Sequence, residues 1–326
     1  MSNLLKRINR RVLETRKIYF EDIKFSKKLA KFRLLDDILW RLHLPKLSSV
    51  FHTKKDEWIL NYLKEKINPI LIKYKDDDLK GEKNDISPIW VCWWSGEENA
   101  PELVKQCIRS IRKNANNHPV YLITENNYRK YLEVPNYILE KVTSGAMCIA
   151  NFSDYLRISL IEKYGGMWLD ATIFCSTLIP EEYFQTSFFT CKSQETESRY
   201  LSKFRWTGFC LAGWRQHVFF RYLKEAFECY WETEDSSIDY LLMDYLFEIA
   251  YRYLPTVQRC IDDVEPNNLH RDDLQAAMNM RVPAIMWNDV IKDDTVLYKL
   301  SWREKYTLMT EDGEQSIFSY YLNMQI

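Results

Sequence analysis

Two acids and one arginine lie close together in a stretch of the chain that is otherwise mostly apolar. Asp154 and Arg157 are three residues apart, and Asp170 follows further along the chain. Residues three apart on a helix share one face, so we expect Asp154 and Arg157 to project together. A guanidinium matches the geometry of a phosphate, and a carboxylate accepts hydrogen bonds from sugar hydroxyls. The spacing therefore indicates joint binding of a polar ligand, with a structural salt bridge as the alternative interpretation.

A helix and a short strand are predicted to position these groups. An apolar residue at every fourth position from 152 to 160 predicts a helix from Asp154 to Tyr164, with Ser153 as its N-cap. The two glycines that follow supply the left-handed residue that ends such a helix. Residues 167–169 then form a short buried strand. Asp170 is therefore expected at the carboxyl end of a strand.

The surrounding sequence predicts an α/β fold. Residues 89–94 form an apolar run that predicts a buried strand, residues 101–112 a helix and residues 120–124 a second strand. Strand, helix and strand in this order make a βαβ unit, which implies a parallel sheet with ligands beyond the carboxyl ends of its strands. We expect residues 1–86 to form a basic helical extension and linker, and residues 87–326 to form the catalytic domain.

The combined motif S-D-x-x-R and Y-G-G-x-W-L-D-A-T resembles the capsular polysaccharide synthesis proteins, relatives of glycosyltransferase family 32. It is also similar to the catalytic domains of the clostridial glucosylating toxins. The similarity covers residues 89–174 well and is weaker near the C-terminus. It implies a GT-A-type, Rossmann-like nucleotide-sugar-binding fold. It further implies a metal-dependent, retaining hexosyltransferase that moves a sugar from a nucleotide-sugar, with a UDP-sugar favoured, to a capsular or other surface polysaccharide.

The resemblance also implies roles for individual residues, with a metal that is Mn²⁺ or Mg²⁺. The related enzymes hold the metal with a D-x-D motif, but here the motif reads D-A-T and lacks its second carboxylate. Asp170 is then expected to bind the metal directly, and Thr172 to contribute a hydroxyl or act through water. The residues expected to bind the donor are Trp93, Asp154, Arg157, Trp168, Asp170, Lys299, Ser301 and Trp302.

Several of these residues also have a structural interpretation. Trp93 matches a position whose ring stacks on the donor base, but a Trp in a buried strand is commonly core material. The segment containing Lys299 resembles one that closes over the diphosphate, and a plain strand is the alternative. Asp239 and Asp244 flank a helical pattern and are candidates for orienting the acceptor hydroxyl, or else solvated helix carboxylates.

The N-terminal segment is strongly basic although the whole chain has a net charge of -1. Residues 1–55 carry fifteen Lys or Arg against five Asp or Glu, which leaves about +10. Apolar residues at helical spacing between positions 4 and 40 predict amphipathic helices. These helices either pack on the catalytic domain or lie on an anionic membrane surface. Nucleic acid is not an expected partner, because no nucleic-acid-binding module accompanies the charge.

The remaining features bear on compartment and on rival functions. No apolar run approaches the roughly 20 residues of a membrane span, no secretory signal is evident, and the eight cysteines are scattered, so we expect a cytoplasmic protein, at most peripheral at the inner membrane face. His217 and His270 lack zinc-ligand spacing. The expected acceptor is a glycan or a lipid-linked oligosaccharide. The alternatives are a non-catalytic nucleotide-sugar or glycan-binding protein, a glycosidase and a membrane adaptor.

Overall fold

The computed structural model describes residues 2–193, 198–282 and 286–324, with side chains described from residue 13 onward. Within these ranges the helices are α1 (Ser2–Phe25), α2 (Lys27–Arg41), α3 (Pro45–Lys66), α4 (Asn68–Tyr74), α5 (Glu102–Lys113), α6 (Asn136–Thr143), α7 (Ile149–Tyr164), α8 (Glu182–Gln185), α9 (Val218–Thr233), α10 (Leu242–Tyr253), α11 (Pro255–Asp262), α12 (Asp273–Ala277), α13 (Trp287–Val290) and α14 (Ile317–Asn323). The strands are β1 (Ile89–Cys92), β2 (Val120–Ile123), β3 (Gly166–Asp170), β4 (Ile173–Cys175), β5 (Phe188–Thr190), β6 (Cys210–Gly213) and β7 (Leu297–Lys299).

The central sheet has five strands in the order β2-β1-β3-β6-β5. Strand β1 pairs in parallel with both β2 and β3, whereas β6 runs antiparallel to its two neighbours. The predicted α/β class and the βαβ unit are therefore confirmed. The first two strands end at Cys92 and Ile123, slightly earlier than the sequence pattern predicts. The register places Cys92 beside Asp170, so the carboxyl ends of β1 and β3 open at the same edge.

Helix α7 begins five residues earlier than predicted. It starts at Ile149 with Cys148 in extended conformation at the N-cap, so the prediction of Ser153 as the cap is wrong. Ser153 lies within the helix, because the helical pattern continues upstream through residues 149–152. The predicted end is confirmed, since Gly165 and Gly166 both have positive φ, at 66° and 94°. A Cβ on Gly166 would lie 2.1 Å from the carbonyl oxygen of Pro88, which leaves room only for glycine.

A second, two-stranded sheet brings the C-terminal part of the chain to the D-A-T motif. Strand β4 follows the motif directly and pairs antiparallel with β7, with Ile173 opposite Lys299. The Leu300 N–H donates to the carbonyl oxygen of Thr172 at 3.0 Å. This pairing holds Lys299 next to the carboxyl end of β3.

The N-terminal helices predicted between positions 4 and 40 are confirmed as α1 and α2. Helix α3 contacts α9 and α10, and α4 contacts α9, so this layer packs on the rest of the protein. The sequence predicts a linker over residues 73–85, but residues 73 and 74 are the last turn of α4, so the linker begins later than predicted. Within it, Glu82 forms a β-bridge to Arg215, just beyond the end of β6. The division at residues 86 and 87 stays a prediction. The side chains of residues 1–12, part of the predicted membrane-binding segment, lie outside the described residues.

None of the helices in the described ranges combines the length and the apolar character needed to span a membrane.

Candidate functional site

A cavity of about 700 Å³ opens at the carboxyl ends of β1 and β3. Its wall combines residues from the α7 motif, the D-A-T turn, the segment after β7 and the start of α10. All but one of the predicted site residues line it, namely Trp93, Asp154, Arg157, Trp168, Asp170, Thr172, Lys299, Ser301 and Trp302. The sequence-distant parts of the predicted site therefore meet around one space.

Arg157 lies at the centre of the charged part of the wall. Its Nη2 donates to Asp170 Oδ1 at 3.1 Å and lies 3.4 Å from Asp154 Oδ1. The guanidinium also packs over the ring of Trp168, 4.9 Å from the ring centroid. Only 8% of the Arg157 side chain is exposed. These contacts fix one cation at the base of the cavity and orient two carboxylates around it.

Gly208 allows this position of Arg157. Its carbonyl oxygen accepts a hydrogen bond from Arg157 Nη1. A Cβ on Gly208 would lie 2.8 Å from the same nitrogen and 2.8 Å from the methyl group of Met243. A larger residue would therefore displace the guanidinium.

Lys299 contacts both residues that were predicted to bind metal. Its Nζ donates to Asp170 Oδ2 at 2.7 Å and to Thr172 Oγ1 at 2.9 Å. The other carboxylate oxygen of Asp170 accepts from Trp168 Nε1 at 3.0 Å. Burial opposes ionisation, but the positive charges of Lys299 and Arg157 lower the pKa of Asp170 to about 2. Asp170 is therefore a carboxylate at neutral pH.

The arrangement around Asp170 does not fit a resident divalent metal ion. The Lys299 ammonium occupies the space between the carboxylate and hydroxyl that would hold the ion. Among the described residues, no group of three or more His, Cys, Asp or Glu side chains is arranged to hold a metal. Hard cations such as Mg²⁺ and Mn²⁺ prefer several oxygen ligands. The metal expected from the sequence stays a prediction.

Two further carboxyl groups in the cavity have pKa values raised toward neutrality. Burial raises the pKa of Asp154 to about 7, although Arg157 opposes the shift. Burial also raises the pKa of Asp244 to about 6, and its Oδ1 accepts from Trp206 Nε1 at 2.9 Å. Carboxyl groups that exchange protons near neutral pH suit hydrogen bonding to hydroxyls and proton transfer.

Two tryptophans form an aromatic part of the wall. The rings of Trp93 and Trp302 meet edge to face, with centroids 5.7 Å apart and an interplanar angle of 84°. Trp302 is 45% exposed, so part of its ring is available to a ligand. The Nε1 of Trp93 is buried and has no hydrogen-bond partner in the described part of the chain. An aromatic wall with an unused donor suits a flat, polar ring such as a nucleobase.

Ser301 lies beside these tryptophans at the end of β7. Its N–H donates to the side-chain oxygen of Gln275 at 2.7 Å, and its hydroxyl accepts from the N–H of Arg303 at 3.3 Å. These bonds hold the segment after β7 against the cavity.

Asp239 is the predicted site residue that does not line the cavity. Its Oδ2 accepts from Arg33 Nη1 at 2.8 Å, and Arg33 also pairs with Asp22 at 2.9 Å. Asp239 therefore joins the N-terminal helices to the segment before α10. The other acid that was a candidate for orienting the acceptor, Asp244, lines the cavity from the first turn of α10.

Several cavity residues lacked a motif that would have singled them out, namely Tyr200, Trp206, Gly208 and Arg271. Arg271 illustrates the difficulty. Its guanidinium packs over Phe204, 4.0 Å from the ring centroid, and donates to Ser193 at 2.8 Å. Both partners come from the segment between β5 and β6, far away in sequence. No local spacing marks such a residue.

A family model described as capsular polysaccharide synthesis protein matches residues 41–321. The chain belongs to the capsular polysaccharide synthesis protein family. The match extends beyond residues 89–174, where the motif resemblance is clearest, and includes α3, α4 and every residue of the cavity wall. Comparison with curated proteins and with solved structures gave no match. Family membership assigns the chain a role in capsule biosynthesis.

Proposed function

We propose that the protein is a glycosyltransferase with a GT-A-type fold that transfers a hexose from a nucleotide-sugar to a capsular or other surface polysaccharide. A UDP-sugar is the favoured donor. The observation that carries the proposal is the placement of Lys299 and Arg157 on the two oxygens of Asp170, at the base of a cavity with an aromatic wall. Two cations at one point suit a diphosphate, and the tryptophans suit its base.

Donor binding divides the wall into three parts in this proposal. Trp93 and Trp302 hold the nucleobase, and Lys299 and Arg157 contact the diphosphate. Asp154 accepts hydrogen bonds from hydroxyls of the sugar, a role that favours its ionised form. Arg157 connects the diphosphate-binding part to the sugar-binding part, because it contacts both Asp170 and Asp154.

Sugar transfer breaks the bond between the anomeric carbon and the diphosphate oxygen. Negative charge then develops on the departing nucleoside diphosphate, and Lys299 and Arg157 stabilise it. The acceptor hydroxyl attacks the anomeric carbon from the side of the leaving group and passes its proton to an oxygen of the departing diphosphate. We propose that Asp244, which also lines the cavity and accepts a hydrogen bond from Trp206, orients that hydroxyl. Retention of configuration is carried over from the sequence resemblance, and analysis of the product anomer tests it.

No step of this mechanism requires a metal. Mn²⁺ or Mg²⁺, expected from the resemblance, would bind near Asp170 and Thr172 only with Lys299 moved away from both. The ammonium group supplies positive charge at the same place. Whether transfer requires a metal is therefore tested by replacing Lys299 and comparing transfer with and without Mn²⁺.

The experiment is a thermal-shift screen of UDP- and GDP-sugars with and without Mn²⁺, on wild type and Lys299→Gln. We expect a UDP-sugar to raise the Tm of wild type without metal, and the Gln variant to lose most of that shift. Transfer by the variant should fall about 100-fold. Lys299→Arg is the control, since it retains positive charge.

The outcomes separate the proposal from its main alternative. A donor that stabilises the protein but is never consumed supports a non-catalytic nucleotide-sugar or glycan-binding protein, an alternative favoured by the missing second carboxylate of the D-A-T motif. Absence of stabilisation by every nucleotide-sugar contradicts both. Strict dependence of wild type on Mn²⁺ contradicts the role given to Lys299.

A further inference from the structure

The turn between α2 and α3 exposes an unusual number of apolar side chains. We define the tip as residues 38–50, and every residue from 41 to 47 in it is exposed. In the part of the chain whose side chains are described, the exposed apolar residues of the tip are Ile38, Trp40, Leu42, Leu44, Leu47 and Val50. Leu42 is 62% exposed and Trp40 52%. Such a cluster indicates an interaction surface, because single exposed apolar residues are usual but groups of them are not.

The charge of the tip favours one kind of partner. Arg41 and Lys46 stand among the exposed apolar residues, and both are exposed. No acidic residue occurs from position 38 to position 55, although Asp37 directly precedes the tip and pairs with Arg41 at 2.8 Å. Apolar side chains mixed with cations match the interface of a membrane that carries anionic lipids.

The tip is connected to the mouth of the cavity. The Arg199 guanidinium lies over the Trp40 ring, 4.3 Å from its centroid, and donates to Asp36 at 2.8 Å. The next residue, Tyr200, lines the cavity and is 59% exposed. Tyr240 also lines the cavity and is exposed. A surface that receives the tip therefore lies close to the side of the cavity formed by these tyrosines.

We propose that the tip docks the protein on an anionic membrane surface and that the cavity receives an acceptor held in that membrane. Membrane docking is inferred from the tip alone, whereas the membrane-held acceptor rests on the proposed glycosyltransferase function. Trp40 and the leucines enter the interface between headgroups and acyl chains, and Arg41 and Lys46 contact lipid phosphates. The acceptor class is then a lipid-linked glycan, which reaches the cavity past Tyr200.

The experiment measures sedimentation of the full-length protein with vesicles, without donor or acceptor. Vesicles of phosphatidylcholine mixed with phosphatidylglycerol should bind wild type, and vesicles of phosphatidylcholine alone should bind it much less. The triple variant Leu42→Gln, Leu44→Gln and Leu47→Gln should bind the anionic vesicles at least about tenfold more weakly. The matched control replaces three exposed leucines elsewhere, by Leu178→Gln, Leu269→Gln and Leu308→Gln, and should bind like wild type.

Several results would overturn the inference. One is the absence of wild-type binding to anionic vesicles, and another is an equal loss in the triple variant and its control. A wild-type dimer that becomes a monomer in the triple variant, with no vesicle binding, would make the tip an interface between copies. Transfer to a detergent-free soluble glycan separates the two proposals. If the protein transfers sugar to the soluble glycan but does not bind vesicles, only the docking inference fails. If the protein binds vesicles but no nucleotide-sugar, the proposed function fails.

Discussion

The cavity and the tip each hold side chains against their ordinary preference for solvent, but in opposite ways. In the cavity, carboxylates and cations are removed from most water and contact each other around Arg157. At the tip, leucines and a tryptophan stay in water. Both arrangements cost free energy in the isolated protein. Each arrangement is understandable if a ligand completes it, a charged diphosphate in the cavity and an apolar membrane interface at the tip.

The largest expected effect comes from removing the acid on which the cations converge. Asp170→Asn keeps the size of the side chain but leaves Lys299 and Arg157 without their shared carboxylate. Transfer should fall by at least about 1,000-fold, because the cations lose the group that positions them. Donor consumption measures the loss, and circular dichroism checks that the fold survives. Turnover close to wild type would remove Asp170 from the mechanism and weaken the contrast between cavity and tip.

A smaller effect is expected from the proton on Asp154. Because burial raises the pKa of Asp154 to about 7, the folded protein keeps a proton that the unfolded chain releases near its ordinary value of 3.8. The free energy of unfolding therefore falls as the pH rises from about 4 to about 7. Asp154→Asn removes this loss, so the Tm of the variant minus that of wild type should increase by about 3 °C between pH 5 and pH 8.

The same titration has an opposite consequence for activity. Ionised Asp154 binds the sugar hydroxyls in our proposal, so transfer by wild type should increase as the pH rises through about 7. Asp312→Asn, at an exposed position, is the control for both measurements. A Tm difference that does not change with pH would show that Asp154 titrates alike in the folded and unfolded states.

The smallest effect is expected from Arg199, which connects the tip to the cavity. Arg199→Gln removes an ion pair with Asp36 and a cation–π contact with Trp40. The free energy of unfolding should fall by about 1 kcal/mol, measured by denaturant titration. The KM for a membrane-held acceptor should rise a few-fold, while that for a soluble acceptor stays unchanged. Arg215→Gln, which removes the pairing with Glu82, should leave both KM values as in wild type. An equal rise in KM for both acceptors would argue against a connection between the tip and the cavity through Arg199.

The sequence predicted the parts of the site that depend on neighbours along the chain. The α7 motif, its glycine ending and the strand that carries Asp170 follow from periodicity and from the backbone freedom of glycine. Even there the start of α7 was misplaced, because a polar residue such as Ser153 is compatible with both a cap and a helix interior. The βαβ order likewise predicted the parallel pairing of β1 with β2 and the edge of the sheet at which the cavity opens.

Only the tertiary structure decided how distant segments meet. The pairing of β4 with β7 brings Lys299 to Asp170 across 129 positions. The fold also distinguishes Asp239, held by Arg33, from Asp244 in the cavity, although both flank the same helical pattern. The exposure of the tip is decided in the same way, since Leu42 and the buried Leu60 are the same residue type. Local spacing carries no information on which distant residue packs against a side chain, and packing determines both charge pairing and exposure.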